Sequence, residues 1–364
     1  MSEWKEYKLG DVCSRLSSGK SIKSETILPD GKYPVWGGNG IRGYTNICNF
    51  SGRCCIIGRQ GAYCGNVHFF EGDAYMTEHA VVAVGNHLAD SYFLACQLSQ
   101  MHLENLSAQS AQPGISVKTL STQPICLPPI EEQKRIAGVL SSLDDKIDLL
   151  RRENATLEDL AETLFRHYFI ENPNPNWKEV PLSSIATFLN GLACQKYPSK
   201  DLINRLPVLK IKELSSGITK DSDWATTDIE EEYIVHPGDV IFAWSASLMV
   251  KIWDGEECVL NQHLFKVSST QYPKWFYYFW CKHHLQEFIS IAQSHATTMG
   301  HIKRGDLDNA MVLVPSKEEL NLYSNQIDPL FDKYQNNNEQ LKALSAQRDT
   351  LLPRLMNGEV KVCE

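Results

Sequence analysis

The chain is written twice. Trp4-Lys5-Glu6-Tyr7-Lys8-Leu9 returns as Trp177-Lys178-Glu179-Val180-Pro181-Leu182, a shift of 173 that also relates Pro34 to Pro207. Glu78-His79 before Ala80-Val81-Val82 corresponds to Gln262-His263 before Leu264-Phe265-Lys266, a shift of 184. Leu127-Pro128-Pro129-Ile130-Glu131-Glu132 corresponds to Val314-Pro315-Ser316-Lys317-Glu318-Glu319, a shift of 187. The shift grows by loop-sized insertions while the order holds, and each copy ends in a long helical pattern. Such a chain folds into two similar halves, each followed by a helix, and 364 residues supply a core for each.

The helical patterns set the architecture. In the first, Ile136, Leu140, Leu143, Ile147, Leu150, Asn154, Leu157, Ala161, Leu164 and Tyr168 recur at alternating steps of four and three, a sustained heptad seam. The second runs in the same phase through Leu330, Tyr334, Asn337, Leu341, Leu344 and Leu351. Glu131 and Glu132 fall in the first turn of the first helix, where the helix dipole favours anions. Pro329 is expected to restart the second helix with Asp328 as N-cap, and Pro353 to end or kink it. The second globular half begins where helix one ends and finishes where helix two begins. Parallel helices would part those points by roughly 50–60 Å at 1.5 Å per residue. The economical solution is antiparallel pairing, with a globular domain at each end and an approximate two-fold axis between them. Centring the seams places Asn154 opposite Asn337, where bonded amides would fix register and direction. Val139, Leu160 and Phe165 lie outside the mutual seam, open to helices of another subunit or to solvent.

The expected fold is therefore two mixed α/β (α+β) domains joined by a long antiparallel two-helix coiled coil, with internal tandem duplication and pseudo-two-fold symmetry. The expected boundaries are residues 1–130 and 173–316 for the globular domains, 131–172 for the first helix and 317–364 for the second helix and tail.

The net charge of −9 argues at first against a nucleic-acid partner. Its distribution answers that: residues 131–171 carry −4 and residues 317–364 carry −2, so two thirds of the excess lies on the helical segments. Between Val12 and Phe70 seven basic residues (Arg15, Lys20, Lys23, Lys32, Arg42, Arg53, Arg59) face only Glu25 and Asp30, a local balance that suits phosphates or an ordinary solvated face. No apolar run is long enough for a membrane span, and the N-terminus lacks the apolar segment of a signal peptide. Eleven cysteines without a C-x-x-C pair fit reduced thiols in the cytoplasm and no bound zinc.

Short apolar runs in each half read as strands: Cys54-Cys55-Ile56-Ile57-Gly58, Val67–Phe70 and Ala80–Val84 in the first, Val208–Ile211, Asp239–Ala243 and Leu264–Val267 in the second. Long Gly-, Ser- and Asn-rich connections at 37–43, 59–66 and 108–116 exceed what a minimal fold needs, and such loops carry recognition.

With these motifs the chain resembles the specificity subunit of type I restriction-modification systems over nearly its whole length. The loop Tyr33-Pro34-Val35-Trp36-Gly37-Gly38-Asn39-Gly40-Ile41-Arg42-Gly43-Tyr44 and Ile57-Gly58-Arg59-Gln60-Gly61-Ala62 resemble one target-recognition domain. Gly238-Asp239-Val240, Trp244-Ser245, Asn261-Gln262-His263 and Thr297-Thr298-Met299-Gly300-His301-Ile302-Lys303-Arg304 resemble the other. The resemblance implies a non-catalytic subunit that binds a split, asymmetric site in double-stranded DNA. It also implies two methyltransferase subunits and restriction/translocase subunits as partners, with S-adenosylmethionine and ATP on those partners and no cofactor on this chain.

Candidate DNA contacts follow from side-chain chemistry. Arg42 and Arg59 could read guanine, Asn39 and Gln60 adenine. Lys303 and Arg304 suit phosphates, and Thr297 and Thr298 a phosphate or a thymine methyl. Tyr44, Ser245 and Ser247 complete the set. Arg59 serves equally in a structural ion pair. Trp244 reads as core before contact, and His79 and His263 read as satisfied structural histidines.

Gly38-Asn39-Gly40-Ile41-Arg42-Gly43 matches the dinucleotide fingerprint literally, but turn residues follow it where a helix should open. Two alternatives stand beside DNA recognition: a coiled-coil scaffold whose loops meet proteins, and an enzyme with a dispersed site at Arg59, Glu78 and His79.

Overall fold

The computed structural model describes residues 4–61, 63–107, 114–294 and 300–362, which form two compact units. Unit 1 comprises Met1–Leu149 with Lys342–Glu364, and unit 2 comprises Leu150–Leu341.

Unit 1 opens with a two-stranded ribbon in which β1 (Lys5–Lys8) pairs with β8 (Pro124–Leu127). Between them run β2 (Cys13–Ser18), β3 (Tyr33–Gly37), β4 (Gly40–Thr45), β5 (Phe50–Gly58), β6 (Val67–Met76) and β7 (Ala80–Gly85). These six form one sheet in the order β2-β7-β5-β6-β3-β4. Helices α1 (Ser91–Ser99) and α2 (Val117–Ser121) follow, Asp90 capping α1 by accepting from the amides of Tyr92 and Phe93. β5 carries an unbroken buried run from Cys54 to Gly58, as a central strand covered on both faces must. Phe93, Leu94 and Leu98 of α1 pack with Cys55 and Ile57 against Ile136 and Leu140 of the helix α3 (Ile130–Phe165) and Leu355 of α8 (Lys317–Met356).

Unit 2 repeats the plan. Its ribbon pairs β9 (Lys178–Pro181) with β18 (Met311–Val314), and the register Lys178↔Val314 repeats Lys5↔Leu127 of unit 1. The amide of Leu182 bonds Ala310 O at 2.8 Å, as that of Leu9 bonds Gln123 O at 2.9 Å. After the short α4 (Leu182–Ile185) come β10 (Thr187–Asn190), β11 (Arg205–Leu209), α5 (Ile211–Ser216), β12 (Trp224–Thr226), β13 (Ile234–Val235) and β14 (Val240–Ala243). β15 (Met249–Ile252), β16 (Cys258–Leu260), β17 (Leu264–Ser268), α6 (Lys274–Ser294) and α7 (Arg304–Asn309) complete it. The parallel pair Val35↔Tyr75 of β3 and β6 recurs as Val208↔Val259 of β11 and β16. Unit 1 spans its one sheet with the long β6. In unit 2 that stretch is broken into β15 and β16, leaving two four-stranded sheets, β10-β17-β14-β15 and β12-β11-β16-β13. The core of unit 2 is aromatic: Phe165 and Phe169 pack among Trp275, Phe276, Phe279 and Trp280.

Both long helices contribute to each unit, antiparallel in each. In unit 1, Arg348 Nη1 donates to Asp144 Oδ1 at 3.3 Å. In unit 2, Asn337 Nδ2 donates to Asn154 Oδ1 at 2.9 Å, and the Tyr168 and Tyr323 rings stack at 4.4 Å. Within unit 2, the number rises along one helix as it falls along the other. The amides that the register sets opposite one another are thus bonded. Asn337 also donates to Glu153 Oε2 at 2.9 Å, and Asn154 donates to Asn338 Oδ1 at 2.6 Å. Among seam positions, Ile136, Leu140, Ile147, Leu150, Asn154 and Asn337 are buried, while Leu143, Leu157, Leu164, Leu330, Tyr334, Leu341, Leu344 and Leu351 are half-buried.

Two sequence expectations are corrected. α8 runs unbroken from Lys317 to Met356, so neither Pro329 nor Pro353 interrupts it. Pro329 and Asn325, whose carbonyl the proline ring opposes, are both exposed, so the freed carbonyl turns to water. Phe165, expected to face outward, is 2% exposed and packs on Phe279 and Trp280 of α6. A two-helix argument has no place for that third helix. Leu160 does face solvent, and Val139 is half-buried.

Candidate nucleic-acid interface

Three backbone segments are stitched together in unit 1. β5 ends at Gly58, where a Cβ would lie 2.4 Å from Tyr63 O and 2.5 Å from Gly38 O, so only glycine lets the loops close on the strand. The next amide, of Arg59, bonds His79 O at 3.0 Å in the turn before β7. The Ile115 amide bonds Arg59 O at 2.9 Å, and Gln60 bridges Gly114.

Unit 2 makes the same stitch. The Trp244 amide meets His263 O at 3.4 Å, the Ile302 amide bonds Trp244 O at 3.1 Å, and Ser245 bridges His301. Arg59, Gln60, His79, Gly114 and Ile115 therefore correspond to Trp244, Ser245, His263, His301 and Ile302.

The stitched backbone is common to the two units and the side chains on it are not. In unit 1 the glycines leave a cleft of about 730 Å³ lined by Asn39, Arg42, Gln60, Tyr63 and His79. Arg42 is exposed and, among the described residues, unpaired. Its side chain lies along Gly37, where a Cβ would come within 2.8 Å of Arg42 Cδ. Asn39 Oδ1 accepts from Asn66 Nδ2 at 3.5 Å. Arg59 is half-buried and reaches Ser18 Oγ at 3.5 Å; among the described residues no carboxylate pairs with it. Tyr44 is half-buried in β4, its backbone paired with Leu28. Gly38 and Asn39 form the turn of the β3–β4 hairpin, and Gly40 opens β4 at φ +109°.

In unit 2, Trp244 and His301 stand where unit 1 has Arg59 and Gly114. The Trp244 ring is half-buried, stacks on Phe265 at 5.7 Å and donates its Nε1–H to Asn190 Oδ1 at 3.1 Å. Ser245 is 3% exposed and its hydroxyl meets His263 Nδ1 at 3.2 Å, so it is closed to a direct base contact here, whereas Ser247 is exposed. Lys303 and Arg304 are exposed at the start of α7, Arg304 donating to Phe188 O at 3.3 Å. Thr297 and Thr298 lie outside the described residues.

The sequence reading placed Gly114-Ile115 in a recognition loop and His301-Ile302 in a family motif but named none of the four as a contact, and it read His79 as structural although His79 touches Gln60. Their signal was present: the shift of 187 carries Gly114 to His301 and Ile115 to Ile302. Cys13, Cys54 and Cys96 are structural in character, since burial pushes their thiols up to about 12. Among the described residues no helix is long and apolar enough to cross a membrane.

A doubled mixed α/β domain that keeps its stitch and varies the side chains on it belongs to a class of two-site recognition proteins. The family model for the type I restriction modification DNA specificity domain matches residues 1–159 and 174–346. The chain belongs to that family, whose function is DNA sequence recognition. It is 27% identical over 300 residues to the specificity subunit of type I restriction enzyme MjaIX of Methanocaldococcus jannaschii, covering 75% of this chain and 69% of that protein. It is 37% identical over 146 residues to the EcoprrI specificity subunit of Escherichia coli, covering 39% of this chain and 36% of that protein. The crystal structure of a type I restriction-modification S subunit from M. genitalium shares the fold, with a TM-score of 0.65 at 16% identity over 97% of this chain and 96% of that one.

Proposed function

We propose that the chain is the non-catalytic, sequence-reading subunit of a restriction-modification complex, and that each unit reads one half of a bipartite, asymmetric DNA site. The observation that carries this reading is the repeated stitch with unlike residues on it. A shared scaffold supports a shared mode of approach to the duplex, while Arg59, Gln60 and Gly114 on one stitch, against Trp244 and His301 with Ser245 closed on the other, call for different bases. Arg42 and Arg59 take guanine edges, Asn39 and Gln60 adenine edges, with Tyr44 beside them; Lys303, Arg304 and Ser247 take phosphates in the other half-site, with Thr297 and Thr298. Two methyltransferase subunits and the restriction/translocase subunits supply the chemistry, with S-adenosylmethionine and ATP bound on them, in the cytoplasm.

Selection of bound sites from a random DNA pool, using the chain with its methyltransferase partner, tests the reading. The expected product is two short, unlike motifs at fixed separation. Binding must also weaken steeply with salt, because neutralised phosphates release counterions. A single palindromic motif, or no salt-dependent retention of DNA, refutes it; the latter outcome belongs to a protein-binding scaffold.

A further inference from the structure

We infer that His79 is a positioning residue for base reading: its ring holds the Gln60 carboxamide at the mouth of the glycine-lined cleft in an orientation suited to an adenine edge. The inference rests on the DNA-reading function proposed above and assigns a role to a residue that the sequence reading set aside.

Three observations support it. First, His79 Nδ1 lies 3.2 Å from Gln60 Oε1, and both residues line the cleft. The carboxamide oxygen can only accept, so the ring donates from Nδ1. That leaves the Gln60 NH2 group and the second lone pair of Oε1 for a ligand, the donor–acceptor pair that adenine N7 and N6 require. Second, the backbone that carries the ring is held. The turn carrying His79 is closed by the Ala80 amide on Thr77 O at 3.0 Å, and His79 O accepts from the Arg59 amide at 3.0 Å. Third, the contact recurs in the duplicate. His263 Nδ1 lies 3.2 Å from Ser245 Oγ, the residue equivalent to Gln60. The histidine is constant and the residue it holds differs: Gln60 is exposed to a ligand, whereas Ser245 is buried, so the contact serves reading in unit 1 and packing in unit 2.

The physical gain is preorganisation. A free glutamine side chain loses rotamer freedom when it meets a base, and either end of its amide can lead. One already bonded to a fixed ring loses less and presents one face, which sharpens discrimination more than it raises affinity.

The test compares the full chain, with its methyltransferase partner, against His79→Ala, His79→Gln and Gln60→Ala in bound-site selection, salt titration and thermal melting. Gln60→Ala should relax one adenine position in one half-site. His79→Ala should relax that same position by about tenfold, with the other half-site, the salt slope and the melting temperature unchanged. His79→Gln, which can still donate, should restore part of the preference. Uniform weakening with a lowered melting temperature would make His79 a folding residue and overturn the inference. So would an intact preference in His79→Ala alongside a relaxed one in Gln60→Ala. If neither variant alters selectivity, the clamp and the Gln60 contact both fall. Failure of the wild-type chain to bind DNA in a salt-dependent way would instead remove the function on which they rest.

Discussion

At the scale of single residues, Arg59 and Glu319 make opposite kinds of statement. Arg59 is half-buried and, among the described residues, its guanidinium meets a serine hydroxyl at 3.5 Å and no carboxylate, so it has bonding capacity to spare. Replacing it by alanine should relax one base position, at a cost of about 1–3 kcal/mol if the contact is bidentate; selection on a randomised site reads this directly, and uniform weakening would make Arg59 a phosphate ligand. Glu319 is fully committed. It accepts from Asn174 Nδ2 and Trp177 Nε1 at 2.9 Å each and from the Ser316 amide at 3.0 Å, in a capping box at the start of α8. Those bonds hold its carboxyl down at about 2 against an ordinary 4.5. A depressed carboxylate stabilises the folded form at pH above its unfolded value and loses that contribution as pH falls through the folded one. Unfolding midpoints measured between pH 5 and pH 2 should therefore drop more steeply for the wild type than for Glu319→Gln.

At the scale of elements, the paired helices hold a polar network within unit 2. Asn337 is buried and donates to both Glu153 and Asn154. Replacing Asn154 alone by leucine leaves one N–H of the buried Asn337 amide without its partner and should cost about 1–3 kcal/mol; replacing both asparagines should cost less than the sum. Chemical denaturation of the three variants is the check, and additive losses would show that the amides are not coupled. Swapping Leu143 and Ile147 for Asp, which puts charge on half-buried and buried seam positions, should lower the melting temperature of the full chain. The helices were the most legible part of the sequence because their signal is local: the three-four spacing of Ile136 to Tyr168 needs no knowledge of the rest of the fold. The readings failed where a third partner entered. Phe165 turns inward because α6 brings Phe279 and Trp280 against it, and Pro329 stays inside a helix because its outer face is open to water. The site was half legible. Glycine-rich loops announced themselves at Gly37 to Gly43. The contact of His79 with Gln60 depends on β5 lying beside β7, a non-local pairing that composition does not encode. Ser245 looked available from its chemistry, yet its hydroxyl turns to His263, beside the Trp244 ring.

At the scale of the whole molecule, the chain is acidic overall, and the reading of DNA depends on where that charge lies. Two thirds of the excess belongs to the helical segments, while the basic residues of Val12 to Phe70 belong to unit 1. Affinity should consequently fall steeply as salt rises despite the net −9. A salt titration of DNA binding reads this, and an affinity indifferent to salt would contradict it. The aromatic core of unit 2 has a practical consequence of its own. Of the eight indoles in the chain only Trp4 and Trp36 lie in unit 1, while Trp253, Trp275 and Trp280 are sealed inside unit 2. Intrinsic fluorescence will therefore weigh the melting of the second half above that of the first, and a loss of order confined to the first half will be read from two indoles out of eight.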